Sequence, residues 1–120
     1  MSRDVYIGRK DDPRFLEVHE IYGNGVPVAV CGCFPNGFTA HWRLMAHADA
    51  GRLVRVGGDN GATVVNATRA QILEFLDEVY PKGIDKFKTS PHLGVEYEKI
   101  VKFVQEMEDD GQWVLVASEL

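Results

Sequence analysis

Apolar and polar residues alternate strictly along residues 38–47, Phe-Thr-Ala-His-Trp-Arg-Leu-Met-Ala-His. In an extended chain Phe38, Ala40, Trp42, Leu44 and Ala46 point one way, and Thr39, His41, Arg43, Met45 and His47 the other. A period of two predicts a strand with one buried and one wet face, the signature of antiparallel sheet. Shorter runs on either side read the same way. Val5–Ile7 predicts a first strand. Val26–Phe34 predicts another, which Pro27 pushes toward a sheet edge or a bulge because it lacks an amide donor. Pro35-Asn36-Gly37 is a turn into the 38–47 run. Arg52–Val56 and Thr63–Val65 are two further strands around the Gly57–Gly61 loop. Residues 12–22 fit either a capped helix or a strand paired through the Gly23-Asn24-Gly25 turn, and the Asn-Gly step tips the reading to the hairpin.

After residue 67 the period changes. Thr68-Arg69-Ala70-Gln71 is a capping box, in which the Thr hydroxyl and the Gln side chain satisfy free amides at a helix start. Ile72, Leu73, Phe75, Leu76, Val79 and Tyr80 then recur at spacings of three and four, with Glu74, Asp77 and Glu78 outside their arc. Ser90-Pro91 opens a second helix with a cap and a proline at its first position. Its stripe is Leu93, Tyr97, Ile100, Val101, Val104 and Met107, and Asp109-Asp110-Gly111 stops it. Trp113–Ala117 is continuously apolar, so it predicts a strand internal to the sheet. The fold class is therefore α+β: a mostly antiparallel sheet of about five to seven short strands with two amphipathic helices packed on one face. The helices are expected to cover the face of Trp42 and leave that of His41 open to water.

Composition bounds this picture. A chain of 120 residues is one globular domain, 1–120, long enough to bury a core without staples. The formal net charge is −5. Nucleic-acid binders draw affinity from a basic excess, so a nucleic-acid partner is not expected. The charge is uneven: residues 1–67 hold seven acids and seven bases, residues 68–110 ten acids and six bases. An acidic helical face suits docking to a basic partner, and it serves plain solubility equally. Cys31 and Cys33 are too close for an ordinary disulfide and read as small hydrophobes on one side of a strand, ahead of a redox pair or half a metal site, whose usual spacing has two intervening residues. No signal region or membrane-spanning run is visible in the sequence, and with free thiols the cytoplasm is the expected location.

Candidate chemistry is thin. His41, Arg43 and His47 share the polar face of the 38–47 run, with Asp49 at its end. On a straight strand the two histidines would lie about 20 Å apart and could not share a metal. The Gly57–Gly61 loop has no Lys-Ser/Thr ending and leads into a strand, so it does not read as a phosphate cradle. Lys82, Lys86, Lys88 and His92 with Phe87 between them could pair phosphates and stack a base, but a solvated loop explains them as well. No catalytic residue, metal site or cofactor is expected. The expected function is a small acidic protein-binding module that blocks a larger protein, as immunity and anti-defence inhibitors do. Its contact residues would come from His41, Arg43, Met45 and His47, or from Glu106, Glu108, Asp109 and Asp110. The alternative is a small enzyme or ligand-binding domain using the His41/Arg43 face and the Gly57–Gly61 loop. A homodimer through an open sheet face or the Val26–Phe34 edge is a third reading.

Overall fold

The computed structural model describes residues 3–12, 29–58 and 61–119. Their elements run β1 (Asp4–Arg9), β2 (Ala29–Cys33), α1 (Gly37–Asp49), β3 (Arg55–Gly57), β4 (Ala62–Asn66), α2 (Arg69–Val79), a 3-10 turn (Gly83–Phe87), α3 (Pro91–Glu106) and β5 (Trp113–Ser118). The strands form one antiparallel sheet in the order β2-β1-β5-β4-β3. The α+β class expected from the sequence is the architecture found, with one helix more than expected among the described residues. The choice between helix and hairpin over 12–22 falls, after Asp12, outside the described residues, as does Pro27.

The additional helix is the principal correction. Residues 38–47 are not a strand but the body of α1. Their buried members are Ala40, His41, Leu44 and Ala48, spaced as one side of a 3.6-residue turn. The faces expected from alternation are thus redistributed: Ala40 and Leu44 are buried as expected, but Trp42 is 68% exposed and Phe38 61%, while His41 is only 7% exposed. Propensity explains the outcome. Ala40, Arg43, Leu44, Met45, Ala46 and Ala48 are strong helix formers, and Thr39 is the only β-branched residue in the run. Asn36 sits at the helix start with φ 56° and makes no side-chain cap, so no capping motif announces it. Instead its carbonyl accepts from the amides of Thr39 and Ala40.

The two expected helices are present. The Thr68 hydroxyl accepts from Gln71 N at 3.2 Å and Gln71 Oε1 accepts from Thr68 N at 2.9 Å, closing the capping box of α2. Pro91 occupies the first turn of α3. All three helices pack on the sheet face carrying Val5, Ile7, Val65, Leu115 and Ala117, bringing Leu44, Ile72, Phe75, Leu76, Ile100 and Val104 into one core. Tyr80, Phe87 and Tyr97 stack with centroids 5.2–5.6 Å apart, which ties the end of α2 to the 3-10 turn and α3. The Tyr80 hydroxyl donates to the Pro35 carbonyl, and burial raises its pKa well above the usual phenol value. The opposite sheet face buries Val64, Val114 and Val116 beside Tyr6. Trp113–Ala117 is therefore apolar throughout because β5, the central strand, is buried on both faces.

β2 lies at a sheet edge. Gly32, at φ +98°, falls where the β1–β2 register shifts, and this breaks the alternation expected to keep both thiols together. Cys31 packs against the core and Cys33 is exposed. Burial pushes the Cys31 thiol up to about 11 and Cys33 above its ordinary value. Both are protonated at neutral pH, the opposite of what a redox nucleophile needs.

Candidate functional site

A helix scatters side chains that a strand would align. His41 and His47 are six residues apart, so on α1 they differ by about 9 Å in height and about 240° in direction. His47 turns toward α2, where its Nε2 contacts the Glu78 carboxylate and its ring meets the edge of Phe75 at 6.1 Å. Arg43 approaches the other Glu78 oxygen at 3.6 Å. A shallow hollow of about 130 Å³ lies here, lined also by Arg52, Gln71 and Glu74. Asp49, at the end of the run, pairs with Arg55 at 2.5 Å. Glu78 is the residue missed in the sequence. It lies 31 positions from His47 and only the packing of α1 on α2 joins them.

His41 and Met45 turn instead toward the end of the sheet. They line a hollow of about 320 Å³ with Gly58, Gly61, Ala62, Thr63, Ala117 and Glu119. The His41 side of the chain and the glycine loop are thus brought together, whereas Arg43 is on a different face of α1. Burial lowers the His41 pKa, an effect that Arg3 reinforces and that Glu119 and Asp4 partly offset. Because the unfolded chain takes up this proton more readily, stability is complete above pH 6.5, histidine's ordinary value, and falls as pH drops through the folded value. We expect thermal melts to show Tm declining with pH below about 6.5, and His41→Gln to flatten that decline. An unchanged slope in the variant would remove His41 as its source.

The acidic stop after α3 is built into the fold. Asp110 accepts from Arg9 at 2.6 Å and from Gln112 N at 3.1 Å, and the Arg9 bond holds its carboxyl below the usual range. Arg9 in turn lies 4.5 Å over the Trp113 ring. Asp109 accepts from Arg69 N at 3.3 Å, at the amino end of α2 where a negative charge is favoured. Asp109 and Asp110 are occupied in this way, while Glu106 and Glu108 are exposed. Phe87 is buried in the aromatic trio, so the lysine-rich segment has lost the stacking ring it would need for a base. Ala62–Asn66 after the glycine loop is a strand, as expected. Among the described residues no three His, Cys, Asp or Glu side chains are grouped to hold a metal ion, and no helix is long and apolar enough to cross a membrane.

The outward side of α1 is the remaining feature. Phe38 and Trp42 stand one turn apart, about 40° from alignment. Arg3 lies 5.4 Å over the Phe38 ring. Thr39 and Arg43 complete a broad concavity with the two rings. The chain matches no protein-family model, no curated protein and no solved structure. The surface must therefore be read from its chemistry.

Proposed function

We propose that this chain is a cytoplasmic protein-binding module that docks through the outer side of α1 and blocks a larger protein. One observation carries the reading: Phe38 and Trp42 present two large rings to solvent from one rigid helix face. Scattered single apolar residues are ordinary on a surface, but adjacent aromatic side chains are costly to expose and are the residues that dominate binding energy at interfaces. Arg43 at their side is the charged residue most favoured there. The exposed Glu74 and Asp77 of α2, with Glu106 at the end of α3 and Glu108 after it, add negative charge that would steer a basic partner. Cys31 and Cys33 are free thiols, in keeping with a reducing compartment.

The test is affinity capture from the native cytoplasm with wild type and with a Phe38→Ala/Trp42→Ala variant. A single larger protein is expected to co-purify stoichiometrically with wild type. Truncating one hot-spot ring costs about 2 kcal/mol, roughly thirtyfold in Kd, so the double variant is expected to lose it. Reversing Glu106 and Glu108 to Lys is expected to slow association and reduce its salt dependence without abolishing binding. Undiminished capture by the double variant would overturn the α1 docking face.

A second reading has its own observation. The hollow beside His41 joins that side chain to Gly58 and Gly61, the arrangement a small ligand-binding domain would use.

A further inference from the structure

His41 is buried, yet it makes no hydrogen bond to any described residue, and its ring faces the hollow at the end of the sheet. Among the described residues the enclosed polar side-chain atoms without a partner are Asn66 Oδ1 and Arg69 Nε, so the imidazole nitrogens are not sealed off and open onto the hollow, where a group from outside can reach them. Its Nε2 lies 4.0 Å from Glu119 Oε1. That is too long for a direct hydrogen bond, but it suits two acceptors sharing one donor group. An atom about 2.8 Å from each would subtend about 90°, within reach of two hydrogens on one tetrahedral nitrogen. Glu119 is anchored by its backbone amide, which donates to Gly61 O at 2.6 Å; Arg3 Nε approaches the same Oε1 at 3.5 Å, so an incoming cation would share this oxygen with the guanidinium. Gly58 comes close to the backbone of Ala62 at the rim of the hollow: a Cβ there would meet Ala62 O at 2.5 Å. Met45, Ala62 and Ala117 supply an apolar wall, and Thr63 adds a side-chain hydroxyl.

We propose that this hollow binds a small primary amine, its ammonium group held between His41 Nε2 and the Glu119 carboxylate and its carbon chain lying on Met45, Ala62 and Ala117. Burial keeps the imidazole neutral at pH 7, so in the Nδ1–H tautomer Nε2 offers a lone pair and does not repel the cation. The Glu119 charge supplies the stronger, charge-assisted bond. The site is independent of the Phe38/Trp42 face and stands or falls separately from the docking reading.

The experiment is a side-chain 15N NMR titration of the intact chain with n-propylammonium chloride. Tetramethylammonium chloride serves as a control that carries the same charge but has no N–H donor. Propylammonium is expected to shift His41 Nε2 saturably and tetramethylammonium to leave it in place. Glu119→Gln alters a partly exposed side chain, and its backbone spectrum will report whether the fold is kept. That variant is expected to weaken propylammonium binding about tenfold or more, as loss of one charge-assisted bond requires. No saturable shift, an equal response to tetramethylammonium, or undiminished binding by Glu119→Gln would each overturn the proposal.

Discussion

Leu44→Ala is expected to destabilise the protein by about 3 kcal/mol, whereas Trp42→Ala is expected to cost less than about 0.5 kcal/mol. The contrast runs against residue size and follows from the orientation of α1. Leu44 is fully buried between the helix and the sheet, so truncation removes its transfer energy and leaves a cavity. Trp42 is mostly in solvent and has little burial to lose. For a domain of this size about 4 °C of Tm accompanies each kcal/mol, which puts Leu44→Ala about 12 °C below wild type in a circular-dichroism melt. If residues 38–47 instead formed a strand with Trp42 inward, Trp42→Ala would be the damaging change, at about 3–5 kcal/mol. Comparable losses in the two variants, or a larger loss at Trp42, would contradict the helix as placed.

Gly37→Ala is the second large effect, and it arises where no side chain now exists. Gly37 opens α1 directly against the start of β1. A Cβ there would lie 2.6 Å from Arg3 O and 3.2 Å from Asp4 Cα. These are backbone atoms, so they cannot swing aside as a side-chain tip would. Overpacking of this kind costs about 1–3 kcal/mol, and here it acts on the contact that seats α1 on the sheet. Gly51→Ala is the companion variant. Gly51 has φ +76° and nothing within 4 Å of its added Cβ, so it feels only the torsional cost, about 1–2 kcal/mol. Urea unfolding of both separates steric exclusion from backbone strain. A Gly37→Ala midpoint equal to wild type would mean that α1 does not approach β1 this closely.

Local signals carried much of the fold and little of the site. α2 was legible because its start is written in four consecutive residues and its stripe follows without interruption. β5 was legible because a strand buried on both faces needs no polar positions. α1 was misread because two periods fit the same ten residues. Phe38, Trp42 and Leu44 satisfy an alternation, while Ala40, Leu44 and Ala48 satisfy a helical repeat with smaller side chains. The larger rings drew the reading outward-side in. The alanine content of the run was the better guide, since small residues allow a helix to lie close to a sheet and large ones are not needed to bury it. The sites fared worse for a simple reason. His41 meets Glu119 and His47 meets Glu78 only through the packing of elements distant in the chain, and no spacing encodes either pair. Asp109 and Asp110 show the reverse: a conspicuous acidic cluster that serves internal contacts to Arg69 and Arg9.

The sheet order has a consequence for how the molecule comes into being. β1 and β2 form one hairpin-like pair, β3 and β4 another, and β5 alone joins them, with Asp4 opposite Ser118 in the register. During synthesis β5 is the last of these strands to leave the ribosome, so neither pair can gain its inner neighbour before then. The sheet can close only when its keystone has emerged. Until residues 113–118 arrive, the inner edges of β1 and β4 have no strand to pair with, the condition in which unpaired strand edges are open to mispairing.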